Sequence, residues 1–222
     1  MANKTTIVLV DDHAVVRAGV RRLLEQEPLF EVIGEADSGE KAYQIFGELK
    51  PDVMVMDLSM PGMGGLEGIR RILMRYEKAK ILVLSMHEDL SFANQALKLG
   101  VKGYLTKNTL ADDLVKSIET VTQGDVFLSD EIAKKMAMQS ISGNQDPVHE
   151  LSGREFEIFR LLAEGLDIDA IASTLNISSK TVSNYQTMIK QKLNINTPIE
   201  LIRYAIKVGV ITNQVFSGRI LN

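Results

Sequence analysis

Along the first 122 residues, short apolar runs alternate with segments of helical spacing. The runs fall at residues 7–10, 32–36, 53–56, 81–84 and 103–105. Runs such as IVLV, VMVM and ILVL do not alternate polar with apolar positions. That is the signature of strands buried on both faces, as in a parallel sheet covered by helices. Between them, residues 15–24, 40–49, 66–76, 90–99 and 110–121 carry apolar side chains at three- and four-residue intervals. Five strands alternating with five helices predict a doubly wound α/β domain with a five-stranded parallel sheet. In such sheets ligands bind at the carboxyl ends of the strands.

The pattern then changes. Residues 129–138 can form one helix with Ser129 at its N-cap. SISGNQDPVHE follows, a stretch of small, polar and turn-forming residues that reads as an interdomain connection. From Leu151 onward the spacing is helical throughout. Ser152 and Glu155 form a capping-box pair before an apolar face of Phe156, Phe159, Leu162 and Ala163, and Gly165 suits the helix end. A short helix over 168–175, a tight break, and a helix over 179–192 capped by Ser178 come next. Thr197-Pro198 opens a last helix over 198–208. Two short helices joined by a small turn between supporting helices predict a four-helix helix-turn-helix domain. The expected division is 1–122, a helical linker over 123–150, and 151–222.

Composition adjusts this picture only in part. A chain of 222 residues suits two domains at roughly 100–200 residues each. The absence of cysteine excludes disulfides and Cys-ligated zinc or iron–sulfur sites, and the three histidines are scattered. The apolar run near the N-terminus is too short for a signal-peptide core, and no stretch approaches the ~20 apolar residues of a membrane span, so a soluble cytoplasmic protein without a membrane partner is expected. Charge is uneven. Residues 151–222 hold eight Lys and Arg against six Asp and Glu, a net +2, which leaves −6 on residues 1–150. The sign difference points to different partners for the two parts, although +2 is small for a nucleic-acid binder.

Candidate chemistry gathers at the predicted strand ends. Asp11 and Asp12 follow the first strand, Asp57 the third, Ser85 the fourth and Lys107 the fifth. Three carboxylates in one crevice repel one another unless a cation joins them. Oxygen-only ligands with room for water suit Mg2+. A lysine and a hydroxyl nearby can hold phosphoryl oxygens, and phosphoryl transfer needs mainly positioning and charge neutralisation. His13 reads as a cap for the next helix rather than a metal ligand, and Ser59 and His87 as loop residues beyond Asp57 and Ser85.

The stretches VLVDDH, DLSMPGMGGLEG, ILVLSMHE and GVKGYLTK resemble the receiver domain of two-component response regulators, which has a flavodoxin-like fold. The resemblance implies that Asp57 takes a phosphoryl group from a sensor histidine kinase. It places Asp11, Asp12, Asp57 and the backbone carbonyl of Ser59 around Mg2+. Lys107 would pair with the phosphoryl group, Ser85 would hydrogen-bond it, and Tyr104 would turn inward when Ser85 moves. Positions such as Ser59 and His87 line the pocket mouth in the family and tune dephosphorylation. Many members have proline after the lysine, where this chain has Asn108.

LSGREFEIFRLLAEG, IASTLNISSKTV and IKQKL resemble the LuxR-type helix-turn-helix of NarL/FixJ-class regulators, and the segment around Tyr185 with KLNINTPIEL is similar to the GacA/UvrY-like subgroup. The family's second short helix enters the major groove of double-stranded DNA. By this resemblance Ser183, Asn184 and Thr187 face bases, and Lys180, Tyr185, Lys190 and Lys192 reach phosphates or the groove edge. Residues 180, 183, 184, 187 and 191 do share one polar face by helical spacing, with Val182 and Ile189 on the buried side. Many members carry Lys at Ser183 and Asp169, His at Tyr185 and Arg at Pro198, so phosphate-contacting charge is missing here. The apolar stripe Ile199, Ile202, Ala205 and Ile206 lies on the helix that builds the DNA-bound dimer in the family; core packing also accounts for it.

The whole therefore reads as a transcription regulator controlled by phosphorylation, forming a homodimer when phosphorylated, and not as an enzyme. Two alternatives stand beside it. One is a phosphorylation-switched protein-binding module, motivated by the small +2 charge. The other is a Mg2+-dependent phosphohydrolase, against which stands the lack of a second acid–base carboxylate beside Asp57.

Overall fold

The computed structural model describes residues 4–60, 62–108, 111–142 and 146–211. Pro61 of the MPG turn, Leu110 at the expected start of a helix, part of the expected linker and the last eleven residues lie outside the described residues. The chain divides into two compact units. One comprises residues 1–88 and 96–138, the other residues 89–95 and 139–222.

The first unit contains β1 (Thr5–Val10), α1 (Ala14–Leu24), β2 (Phe30–Ala36), α2 (Gly39–Leu49), β3 (Val53–Met56), α3 (Gly64–Arg75), β4 (Ile81–Ser85), β5 (Gly103–Thr106), α5 (Ala111–Gln123), β6 (Phe127–Leu128) and most of α6 (Asp130–Ser142); α4 (Leu90–Leu99) is divided between the units. All strand pairs are parallel, in the order β2-β1-β3-β4-β5-β6. That order makes the doubly wound sheet predicted from the apolar runs, with its crevice at the carboxyl ends of the neighbouring β1 and β3, where the strand order reverses. VMVM of β3 is buried at every position, as is ILVLS of β4, because helices cover both faces. Ile7, Leu9, Leu24, Val53, Val55, Leu82, Leu105 and Ile118 form the core on one side.

Among the described residues six strands are present where five were expected. The sixth has two residues, too few to show any periodicity. Gly124, at φ 96°, turns the chain after α5. Phe127 N then donates to Lys102 O at 2.9 Å, and Ser129 N to Tyr104 O at 3.2 Å. Helix α3 also begins two residues earlier than its apolar spacing suggested. A Cβ on Gly65 would lie 2.2 Å from Asp57 O, so only glycine lets this helix start press against the strand end that carries Asp57.

In the second unit, α7 (Gly153–Ala163) starts at the expected capping box, with Ser152 and Glu155 bonded reciprocally. Leu162, expected on its inner face, is half-buried, whereas Phe156, Phe159 and Ala163 are fully buried. Helix α8 (Ile168–Leu175) ends on Asn176 in the left-handed conformation, φ 52°. Helix α9 (Ser179–Leu193) is capped by Ser178, and α10 (Pro198–Lys207) by a second capping box of Thr197 and Glu200. Val182, Ile189 and Leu193 of α9 are buried, together with Ile171, Leu175, Leu201 and Ala205. On α10, Leu201 and Ala205 point inward while Ile199 is 64% exposed. Among the described residues, no helix is long and apolar enough to cross a membrane.

Candidate functional site

Sheet register brings the strand-end residues together. Val10 pairs with Met56, Met56 with Val83, and Ser85 with Thr106, so Asp11, Asp57, Ser85 and Lys107 emerge at one edge. Asp57 N donates to Val10 O and Lys107 N to Ser85 O, each at 2.8 Å, which extends the ladder into the crevice. Asp57 is 1% exposed and Asp11 6%. Lys107 Nζ lies 2.6 Å from Asp11 Oδ2 and 2.8 Å from Asp57 Oδ2. The other oxygen of Asp57 accepts from Leu58 N at 2.7 Å and Ser59 N at 3.3 Å. Burial pushes the Asp57 carboxyl above its ordinary range, and Lys107 offsets this only in part. Burial opposes charge on Lys107 too, but Asp11 and Asp57 outweigh it and hold the ammonium firmly protonated.

Asp11, Asp12, His13 and Asp57 place ligand atoms within 4.8 Å of one another. Lys107 compensates two of these three carboxylates. Asp12 Oδ1 is buried and has no hydrogen-bond partner, a cost that a cation would relieve. The donor set is mainly carboxylate oxygen, which fits Mg2+.

Around the crevice mouth, Ser85 is fully buried, its Oγ accepting from His87 N at 3.2 Å. Tyr104 is also fully buried, its hydroxyl donating to His87 O at 2.8 Å. The inward position expected of Tyr104 only after Ser85 moves is thus already occupied here. Ser59 Oγ and His87 Nε2 meet at 2.7 Å. His87 is a loop residue, as expected, but it is half-buried and Ser85, Tyr104 and Ser59 all bond to it. His13 does occupy the N-cap of α1, but its side chain makes no capping bond. Its Nδ1 turns back to the aspartates, 3.2 Å from Asp11 Oδ1 and 3.0 Å from Asp12 Oδ1.

Two supporting residues escaped the sequence reading. Arg17 Nη1 donates to the Asp11 main-chain carbonyl while its Nε holds Glu35 at 2.7 Å. Glu40 accepts from Met63 N at 2.9 Å and so anchors the loop after β3. Arg17 lies six residues after Asp11, and its place on α1 facing the strand end was a usable signal. Glu40 offered none, since only the packing of α2 beside α3 brings it to that loop.

On α9, Lys180, Asn184 and Thr187 are exposed, and Ser183, Tyr185 and Lys190 are half-buried. Among the described residues, Lys180, Asn184, Tyr185 and Lys190 make no side-chain hydrogen bond or ion pair. Ser183 Oγ donates to Ser179 O at 3.0 Å and Thr187 Oγ1 to Ser183 O at 3.1 Å, so both hydroxyls are bonded back along the helix. Lys192 departs from the phosphate-facing role expected of it. Its Nζ sits 2.7 Å from Oε2 of Glu155, a residue 2% exposed. Asp169, where family members carry lysine, accepts from Ser179 Oγ at 2.6 Å and ties α8 to the start of α9. A recess of about 410 Å³ beside the end of α9 is lined by Thr187, Lys190, Gln191, Asn194, Ile195 and Asn196.

A parallel sheet in this order, with a lysine-bridged aspartate pair at its strand ends, defines a receiver, and a four-helix unit whose third helix, α9, presents an exposed polar face defines a DNA-binding partner for it. Comparison with known proteins agrees. Residues 7–119 match the response regulator receiver domain, and residues 149–205 match the bacterial regulatory proteins of the luxR family. The response regulator UvrY of Escherichia coli K12 is 36% identical, over 96% of this chain and 99% of its own. The response regulator GacA of Pseudomonas aeruginosa is 35% identical, over 92% and 97%. RcsB from Salmonella enterica serovar Typhimurium, solved on promoter rprA with the phosphomimetic BeF3−, has a TM-score of 0.73 and 30% identity, covering 91% of this chain and 98% of that one. The chain belongs to the two-component response regulators that join a receiver domain to a LuxR-type helix-turn-helix, a family of transcription regulators rather than enzymes.

Proposed function

We propose that Asp57 is the phosphoacceptor and that its phosphorylation by a sensor histidine kinase controls homodimerisation and binding of double-stranded DNA through α9. The observation that carries this reading is the bridge from Lys107 to Asp57 and Asp11 in a buried crevice. An Asp57 oxygen attacks the phosphorus of the donor phosphohistidine. The P–N bond breaks, its electron pair leaves with the imidazole, and an acyl phosphate forms. Burial keeps water from competing for the phosphoryl group. Once Asp57 is esterified, Lys107 keeps Asp11 as a partner and turns its remaining donors to a phosphoryl oxygen. Ser85 donates its hydroxyl hydrogen to another while its oxygen still accepts from the His87 amide, and Tyr104 anchors the same loop from within. Asp11, Asp12, Asp57 and the Ser59 carbonyl would hold Mg2+, which supplies neutralising charge for the phosphoryl oxygens.

Asn184 suits adenine, and Ser183 and Thr187 suit several bases, once their hydroxyls exchange the helix carbonyl for a base edge. Lys180, Tyr185 and Lys190 serve the backbone. Lys192 joins them only by giving up Glu155. Residues 1–122 act as the receiver and 151–222 as the DNA-binding domain, in the cytoplasm. RcsB, bound to promoter DNA with a phosphomimetic, supports the coupling of the two. Selection from a random duplex pool, with and without acetyl phosphate, tests it. The expected result is a two-fold symmetric sequence enriched by phosphorylation. No enrichment in either arm, even at low salt, overturns DNA recognition and favours a protein-binding output.

A further inference from the structure

We propose that the first unit carries a second ligand site, a recess at the amino-terminal end of its sheet that binds a small organic anion. The ligand has an apolar body and one carboxylate or phosphate head. The site is separate from the phosphoacceptor crevice and does not depend on it. The recess measures about 720 Å³, inside the roughly 300–1,000 Å³ of small-molecule sites. It is bounded by the ends of α2 and α3 and by the turns that lead into β3 and β4. Asp57 lies at the opposite, carboxyl end of β3.

Its walls supply both halves of such a ligand's needs. Phe46, Pro51 and Ala79 are buried and apolar, and Met74 is 71% exposed beside them. An exposed methionine is an apolar surface that adapts to varied shapes. The rings of Phe46 and Tyr76 pack 5.1 Å apart. Arg75 provides the polar end. Its guanidinium carbon lies 5.5 Å from the centre of the Tyr76 ring and 6.0 Å from that of Tyr43, and its Nη1 donates to the Tyr43 hydroxyl at 3.0 Å. Two rings and a hydroxyl thus fix the guanidinium, yet among the described residues it has no carboxylate partner. Its remaining N–H donors suit two oxygens of one carboxylate or phosphate.

The rim is positive on a segment that is negative overall. Lys50, Arg75, Lys78 and Lys80 line the recess with Asp52 and Glu77, four cations to two carboxylates, whereas residues 1–150 carry a net −6. Asp52 is already engaged, accepting from Thr6 N at 2.8 Å and Thr6 Oγ1 at 2.7 Å. Among the described residues, neither Lys50 nor Lys78 forms an ion pair. Lys50 also stands where the backbone favours another residue. It is the C-cap of α2 in the left-handed conformation, φ 47°, and the two other non-glycine residues described with positive φ are asparagines, Asn176 and Asn194. What lysine adds at that cap is charge at the rim.

Titration of the full-length protein with 1-naphthoate, followed by NMR of its methionine methyl groups, tests this. A saturable shift of the Met74 resonance, identified by its loss in Met74→Leu, is expected. The exposed Met138 and Met188 should not move. 1-Naphthyl phosphate should move the same resonance, and the tighter of the two heads names the ligand class. Neutral 1-naphthalenemethanol, which lacks the charge, and inorganic phosphate, which lacks the apolar body, should each bind about tenfold more weakly than naphthoate. Arg75→Gln should weaken naphthoate about tenfold. Lys50→Asn should weaken it about threefold without lowering the melting temperature, because asparagine suits the cap. No saturable shift at Met74 overturns the proposal, as does wild-type affinity in both variants or equal binding of the neutral analogue. Equal shifts at Met74, Met138 and Met188 overturn it too, since they would show an apolar anion associating with any exposed methionine.

Discussion

In the crevice, Asp57 and Asp11 are almost entirely buried around a single ammonium; on α9, Lys180, Asn184 and Thr187 lie open to solvent. The crevice holds its charges against their own preference. Burial disfavours the ionised Asp57, one Asp12 oxygen has no hydrogen-bond partner, and loops from several strands are tied in to hold the arrangement. The recognition face stores nothing of the kind. The hydroxyls of Ser183 and Thr187 bond back along their own helix, and among the described residues Lys180, Asn184 and Lys190 make no side-chain bond, so each can be exchanged at little cost to the fold. Chemistry that must act on arrival needs its charges already placed, whereas a surface that meets an extended polyanion can leave them mobile until contact. Lys192 falls on the wrong side of this division, since it sits on α9 but behaves as a crevice residue.

That exception gives the largest stability effect expected. Lys192→Ala leaves Glu155 buried without its cation. Removing one partner of a fully buried pair costs about 3–5 kcal/mol, and partial exposure of the lysine reduces this to about 1–2 kcal/mol. Burial alone would raise the Glu155 carboxyl, but Lys192 and the Ser152 donors outweigh it and hold it below its usual range. A depressed carboxyl stabilises the fold above its unfolded pKa and loses that contribution as the pH falls through the folded value. The gap between variant and wild type is therefore full at neutral pH and narrows in acid. Urea titrations at several pH values measure it, and a gap independent of pH would separate Lys192 from Glu155.

Asp57→Asn is expected to move stability the other way. The Asp57 carboxyl is raised, so its ionised form destabilises the fold at neutral pH, and protonation relieves this as the pH falls. With divalent cations chelated, the variant should melt a few degrees higher than wild type at pH 7, the difference closing below the carboxylate range. A lower melting temperature at neutral pH would show that the Lys107 pair outweighs burial. The smallest effect belongs to Lys190→Ala. It should leave the melting temperature unchanged and reduce the slope of log affinity against log salt for any duplex by about 0.9, one phosphate contact. An unchanged slope would remove Lys190 from the DNA surface.

The crevice was legible because each of its residues ends an apolar run, and a buried parallel strand delivers the next polar residue to a known edge. Strand β6 was not, because two residues have no period. Gly64 and Gly65 pulled the start of α3 earlier than its apolar spacing allowed, through a close approach that only the folded loop defines. On α9, helical spacing correctly separated Val182 and Ile189 from the polar face, but it fixes the direction of a Cβ and not the reach of a lysine. Lys192 therefore read as a DNA ligand. Its partner Glu155 was recognised only as half of a capping box, which it also is. His13 was read for its place before a helix, and the aspartates beside it claim its ring instead.

The central claim, that this crevice exists to load Asp57, is tested most directly by acyl-phosphate labelling with acetyl phosphate and Mg2+. Wild-type protein should gain one hydroxylamine-sensitive phosphoryl group on the peptide containing Asp57, and Asp57→Asn should gain none. Equal labelling of the Asp57→Asn variant would contradict it.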